Sequence, residues 1–236
     1  MTEPSFWVVV PAAGVGRRMG NTVPKQYLPL EGRMVIDHTI ERMLLHPAVD
    51  GLYLALSEED RWWDETEFAG HPDLVRVKGG MERCHSVFNA LDMLGQRASR
   101  DDWVLVHDAA RPCIRRSDVD HLVQMLGAHE VGGLLGMPVR DTMKRTDSAD
   151  RIVETVERRD LWHAFTPQMF RFGVLFDALK GALQAGFLVT DEASALEWAG
   201  QRPIMVEGHS DNLKITRPED LPLAAYFLQR QADETR

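Results

Sequence analysis

Residues Phe6–Pro11 read FWVVVP, an unbroken apolar run, and the chain passes from it straight into Pro11-Ala12-Ala13-Gly14-Val15-Gly16-Arg17-Arg18-Met19-Gly20. A strand with one face in water alternates apolar and polar residues, whereas a strand with no polar position is covered on both faces. Helices supply that cover, so the run predicts an α/β chain built on a parallel sheet. In open sheets of this kind ligands sit beyond the carboxyl ends of the strands. The glycine loop is therefore the first candidate for a binding site.

The rest of the chain keeps to this pattern as far as about residue 139. Ile36, Ile40, Met43 and Leu44 recur at helical spacing within residues 34–45, before Pro47. GLYLAL (residues 51–56) reads as a second strand, with Ser57 and Asp60 as caps of a short helix to follow. Residues 74–77 form a third strand ending at Gly79-Gly80, and a helix over residues 82–94 carries Val87, Leu91 and Leu94 on one face. WVLV (residues 103–106) is another buried strand, Ser117 is placed to cap a helix through Leu126, and residues 131–139 give a fifth strand. Then the pattern breaks. Residues 141–145 and 152–158 are polar and β-branched around Asp147-Ser148-Ala149-Asp150, which predicts a hairpin too polar to build its own core. Such an arm packs on something else, a second subunit being one choice. Helices over residues 171–185 and 191–199, strands at 204–206 and 213–215, a last helix from Pro218 and a frayed tail after Gln229 complete the expectation. With no repeat or linker, residues 1–236 read as one domain and residues 139–160 as an inserted arm.

Composition narrows the function. Of 236 residues, 44% are apolar and 27% charged, and the formal charge of −9 argues against nucleic acid as a partner. Any cationic site for an anionic substrate is then local. Two cysteines, Cys84 and Cys113, cannot staple a chain of this size and point to a reducing compartment. No cysteine or histidine spacing suits a structural zinc. Cys84 and His85 adjoin on the expected helix and so are expected to point apart. The N-terminus lacks a basic leader pattern and no apolar run approaches the roughly 20 residues of a membrane span, so no membrane partner and a cytoplasmic location are expected.

The glycine loop fits neither familiar phosphate-binding pattern. The dinucleotide fingerprint wants glycine where Met19 stands, and a P-loop wants Gly-Lys-Ser/Thr where Lys25 follows Pro24. What remains is a loop of small residues with Arg17, Arg18 and Lys25 on it, whose backbone N–H groups and cations together suit a triphosphate. Asp108 follows the WVLVH strand and can emerge at the sheet edge beside it; His107 is read as scaffold. No Gly-x-Ser-x-Gly or His-Glu-x-x-His string supports a hydrolase.

Six strings in order, PAAGxGxRM…PKQ, HDAARP (residues 107–112), PVRDTMKR (138–145), TPQ (166–168), TDEASALE (190–197) and DNLKITRPEDL (211–221), make the chain resemble the 2-C-methyl-D-erythritol 4-phosphate cytidylyltransferases. The resemblance implies a three-layer α/β/α nucleotidyltransferase fold, Rossmann-like with a mostly parallel sheet, whose β-arm joins a homodimer. It implies CTP contacts at Ala12, Ala13, Gly14 and Gly16, with the base near Gly80 and Ser86. Arg18 and Lys25 match the family's catalytic pair, and Asp108 its Mg²⁺ residue. Arg111, Thr142, Arg158, Thr166, Thr190 and Lys214 match the positions that hold methylerythritol phosphate. A cytidylyltransferase for another polyol phosphate, such as ribitol 5-phosphate, shares the glycine loop and is the nearest rival. A nucleotide-binding regulator without activity is the rival from another class, and the joint presence of Arg18, Lys25 and Asp108 weighs against it.

Overall fold

The computed structural model describes residues 3–14 and 23–234. The strands are β1 (Phe6–Pro11), β2 (Pro29–Leu30), β3 (Arg33–Met34), β4 (Gly51–Leu56), β5 (Leu74–Lys78), β6 (Trp103–Val106), β7 (Gly132–Pro138), β8 (Met143–Thr146), β9 (Ile152–Val156), β10 (Trp162–Arg171) and β11 (Ile204–Glu207). The helices are α1 (Val35–Leu44), α2 (Arg83–Leu94), α3 (Arg116–Leu126), α4 (Phe172–Gln184), α5 (Glu192–Trp198) and α6 (Asp220–Glu234). Among the described residues, seven strands form one sheet in the order β11-β7-β10-β6-β1-β4-β5.

The apolar run of β1 is explained by what lies on either side of it. Val8 and Val10 enter a core with α1 and α3, while Trp7 and Val9 enter a second core with α2, α4 and α5. β1 pairs in parallel with β4 and β6, so its carboxyl end opens beside theirs. Each fully buried valine or leucine here contributes about 1.5–3 kcal/mol relative to exposure. The layering is therefore helix, sheet, helix, and the mostly parallel α/β architecture expected from the sequence is what the chain adopts.

One long strand departs from the sequence expectation. β10 was not legible, and it runs antiparallel between β6 and β7. Pro167 reads as a strand breaker, and the register shifts between Ala164 and Gln168, so no clean alternation marks the segment. Because β10 runs against its neighbours, the connection from β7 leaves and returns at the carboxyl edge of the parallel strands. The arm is that connection: among the described residues β8 and β9 pair only with each other, and Ile152 and Val153 on it are exposed.

Four smaller expectations are corrected. Residues 213–215 form no strand; Ile215 N–H donates to Ala110 O, and the Ile215 carbonyl accepts from Lys25 Nζ, so one isolated backbone bond and one side chain take the place of a ladder. Ser117 lies inside the first turn of α3, which begins after an uncapped Arg115. Asp60 caps only a 3-10 turn (Trp63–Glu65), accepting from the N–H groups of Trp62 and Trp63, and Ser57 closes a local turn. The tail does not fray at Gln229: α6 runs to Glu234, with Gln231 buried and donating to Cys113 O and Asp211 Oδ2. No helix among the described residues is long and apolar enough to cross a membrane.

Candidate active site

A cleft opens at the carboxyl ends of β1 and β6. Ala12, Ala13 and Gly14 line one wall, Gly80 and Ser86 another, and Lys25, Asp108 and Lys214 stand in it together. Eight of the residues singled out in the sequence thus meet in one place. Arg18 and Gly16 lie outside the described residues, as does Arg17.

The loop after β1 is held by hydrogen bonds as well as by packing, Ala12 being part of the core. Ala12 N–H donates to Ala55 O, extending the β1–β4 pairing by one residue. Gln26 Nε2, itself buried, donates to Ala12 O at 2.8 Å and to Gly14 O at 3.4 Å. That side chain fixes the loop against the cleft floor, a role no spacing argument gives it. Among the described residues, a Cβ on Gly14 would meet nothing within 4 Å. Gly79 and Gly80 are different. A Cβ on Gly79 would lie 2.2 Å from Ala13 Cβ, and one on Gly80 2.3 Å from His85 Cβ, so close packing demands glycine at both. Ser86 Oγ accepts from Gly80 N–H and donates to Glu82 O, which pins the turn to the first residues of α2.

Asp108 is the electrostatic centre. Arg83 Nε donates to its Oδ1 at 2.9 Å, Lys214 Nζ lies 2.8 Å from Oδ2, and Arg111 Nε is 3.6 Å from Oδ2. Burial alone raises the carboxyl's pKa, but the charges of Arg83, Lys214 and Arg111 outweigh it and hold the group well below the usual carboxylate range. Arg83 also forms a two-pronged contact with Glu192, at 2.7 and 3.0 Å, and Glu192 is 1% exposed. Burial lowers the Arg83 pKa, and Glu192 with Asp108 more than reverse this, so the guanidinium stays charged. Three cations thus face two carboxylates, with Lys25 on the same cleft. A chain of net charge −9 carries here the local positive surplus that a polyanionic ligand needs.

Behind Asp108 runs a chain of hydrogen bonds. His107 is fully buried, with Nε2 3.1 Å from Arg111 O and Nδ1 3.0 Å from Thr166 Oγ1. A carbonyl can only accept, so Nε2 carries the proton and Nδ1 accepts from the threonine hydroxyl. Thr166 Oγ1 in turn accepts from Asp108 N–H. Burial pushes the His107 pKa down to about 4, consistent with a neutral ring. Thr166 therefore sits behind the aspartate and holds its backbone. Arg111 is also buried: it donates to Asn212 O, and burial lowers its pKa, partly offset by Asp108. Asn212 Nδ2 donates to Thr166 O, so the segment carrying Lys214 is tied to β10.

Thr142, Arg158 and Thr190 do not line the cleft. Thr142 and Arg158 are exposed on the arm, where Arg158 donates to Arg140 O. Thr190 is exposed just before α5, its N–H donating to Ser194 Oγ. Arg83 and Glu192 were given no role from sequence. Glu192 lies within the TDEASALE string, but nothing local ties it to Arg83, 109 positions away. Cys84 is buried and His85 partly exposed, yet a ligand atom from each, with one from Glu82, lies within 4.8 Å of the others.

Comparison with known proteins finds relatives along nearly the whole chain. The family model described as 2-C-methyl-D-erythritol 4-phosphate cytidylyltransferase matches residues 6–230. A protein of that name from Vibrio vulnificus (strain YJ016) is 53% identical over 229 residues, covering 97% of each chain. Its namesake from Hahella chejuensis is 52% identical over 234 residues, 99% of this chain and 97% of the relative. Among solved structures, the Francisella tularensis 2-C-methyl-D-erythritol 4-phosphate cytidylyltransferase superposes with a TM-score of 0.83 at 35% identity, covering 94% of this chain and 99% of that one. The chain belongs to the 2-C-methyl-D-erythritol 4-phosphate cytidylyltransferase family.

Proposed function

We infer that the chain transfers the cytidylyl group of CTP to 2-C-methyl-D-erythritol 4-phosphate, giving 4-diphosphocytidyl-2-C-methyl-D-erythritol and pyrophosphate, a step of non-mevalonate isoprenoid precursor synthesis. The observation that carries it is 53% identity, over nearly the whole length of both chains, to a protein named for that activity. An acceptor phosphate oxygen attacks the α-phosphorus of CTP, and the bond from that phosphorus to the bridging oxygen breaks, its electron pair leaving with pyrophosphate. A phosphate monoester is largely ionised near neutral pH, so no general base is needed.

In this reading Ala12, Ala13, Gly14 and Gly16 hold the triphosphate, and the turn at Gly80 with Ser86 holds the base. Arg18 and Lys25 stabilise the charge that builds on the α-phosphate oxygens, where fixed cations act with little reorganisation. Lys214 and Arg158 place the acceptor phosphate, with Thr142 and Thr190 beside it, while Arg111 and Thr166 act through the Asp108 region. The arm, residues 139–160, carries Arg158 and Thr142 to the site of a second subunit in a homodimer. Two free, buried thiols, Cys84 and Cys113, suit a reducing cytoplasm.

The family resemblance also implies Mg²⁺. Asp108 fits it in kind: a hard oxygen donor, kept ionised, lining the cleft. Mg²⁺ commonly takes one or two carboxylates and completes its shell from phosphates and water. Lys214, whose side chain is 38% exposed, is the Asp108 partner with room to move aside. Bound there, the ion would neutralise phosphate charge.

Pyrophosphate release, followed with each nucleoside triphosphate, Mg²⁺ and a panel of polyol phosphates, tests the reading. CTP with methylerythritol phosphate is expected to exceed CTP with ribitol 5-phosphate by orders of magnitude. Comparable turnover of ribitol 5-phosphate would transfer the assignment to the rival acceptor.

A further inference from the structure

Glu82, Cys84 and His85 have no part in the phosphate chemistry above, yet they converge. Glu82 precedes α2 with extended backbone, φ −126° and ψ 168°, so its side chain turns back over the first turn. Cys84 Sγ lies 3.8 Å from Glu82 Oε2 and 4.0 Å from His85 Nδ1. We propose that these three side chains form a site for a borderline-soft divalent cation of the zinc class on the rim of the nucleotide cleft, and that its occupation slows the reaction.

The distances and the donor types both favour such an ion. Zn–S near 2.3 Å and Zn–N near 2.0–2.1 Å at a tetrahedral angle set donor separations of roughly 3.5 Å. The two separations from Cys84 Sγ need to close by only a few tenths of an ångström, while Glu82 and His85, within 4.8 Å of each other, swing toward the ion by rotation of their exposed side chains. Glu82 is exposed and His85 partly so, which opens the cluster to solvent, while Cys84 lies underneath. Three protein ligands leave a fourth position for water. A thiolate and an imidazole select zinc-like ions over Mg²⁺, so the site does not compete for the ion expected at Asp108. Burial first, and the Glu82 carboxylate second, raise the Cys84 pKa. The thiol therefore stays protonated without an ion, and binding releases its proton to solvent.

The cluster is wired to the cleft through a short path. Glu82 lines the cleft itself. Its carbonyl accepts from Ser86 Oγ, which also holds Gly80 N–H, and His85 packs so close to Gly80 that a Cβ there would lie 2.3 Å from it. Drawing Glu82 and His85 onto one ion therefore shifts the turn from Gly80 to Glu82, on which the proposed base contact depends.

Cobalt(II) is the first probe, added to the full chain in buffer free of other metals. A thiolate-to-cobalt absorption band is expected to saturate at one ion per chain, to be displaced by Zn²⁺, and to vanish in Cys84→Ser. His85→Ala should weaken the same titration at least tenfold, with folding checked by circular dichroism. In turnover assays at saturating Mg²⁺, Zn²⁺ should inhibit reversibly, and Cys84→Ser should need at least tenfold more Zn²⁺ while keeping its uninhibited rate. A missing sulfur–cobalt band would overturn the site. Equal zinc inhibition of Cys84→Ser and the parent chain would place the inhibitory ion elsewhere and overturn the regulatory role. The cobalt band does not require activity, so its failure is distinguishable from a wrong substrate assignment.

Discussion

Removing Arg83 exposes how much the site's charges depend on one another. Arg83→Ala strips Glu192, 1% exposed in the parent chain, of both its short contacts, and takes one of three cations from Asp108. Asp108 keeps Lys214 and Arg111, so the stranded charge is Glu192. Breaking a buried pair from one side costs about 3–5 kcal/mol. Glu192→Gln in the same chain replaces the stranded charge by an amide, whose unmet hydrogen bonds cost about 1–3 kcal/mol. The double variant should therefore be more stable than Arg83→Ala by about 2 kcal/mol, a non-additivity well above that of independent sites. Urea unfolding followed by tryptophan fluorescence reads all four corners of the cycle. Pyrophosphate release should stay low in the double variant, because Asp108 has still lost an orienting partner. A cost below about 1 kcal/mol for Arg83→Ala, or strict additivity, would refute the picture of Glu192 as a buried charge that depends on Arg83.

Three further outcomes are expected. Lys25→Ala should lower kcat about a hundredfold or more, with a much smaller change in KM for methylerythritol phosphate, the scale for losing one preorganised charge at a developing anion; weakened CTP binding with near-normal kcat would make Lys25 a ground-state clamp. His107 titrates at about 4 when folded against 6.5 as a free side chain, so between those values the unfolded chain binds more protons. Its contribution is complete above pH 6.5 and lost as the pH falls toward 4, on the order of 3 kcal/mol in all. Unfolding free energies across this window should slope less in His107→Gln, and an unchanged slope would contradict the buried neutral ring. Finally, Lys25→Ala and Arg158→Ala chains allowed to exchange subunits should recover activity toward half per mixed dimer; no recovery, with exchange confirmed by mass spectrometry, would defeat a site shared through the arm.

What the sequence disclosed and what it hid follow from how local each interaction is. β1 was legible because burial on both faces leaves a composition signature within six residues. The arm was legible because its pairing is local, Lys144 facing Thr155 and Arg145 facing Glu154. β10 was not, because its polar residues are satisfied by distant partners: Thr166 by His107 and Asp108, Gln168 by Asp191 and Ala193. Gln231 misled in the same way, since a polar residue near a terminus reads as solvated until its partners at Cys113 and Asp211 are known. The cleft residues carried by the glycine loop and by Asp108 and Lys214 came from motif strings. The charge network joining them through Arg83 to Glu192 has no local period to reveal it.

The pairing of Pro138 with Trp162 closes β7 onto β10 and makes everything between them, in backbone terms, one long hairpin loop. The cost of closing a flexible loop grows only with the logarithm of its length, so replacing residues 139–161 by a turn of about three residues would spare roughly 2 kcal/mol of chain entropy. The sheet would lose no strand, since among the described residues β8 and β9 pair only with each other. The arm is thus detachable, as far as the fold is concerned, in the sense that a branch is: it can be redrawn from that joint outward while the strands that carry Asp108 and the glycine loop keep their neighbours and their register.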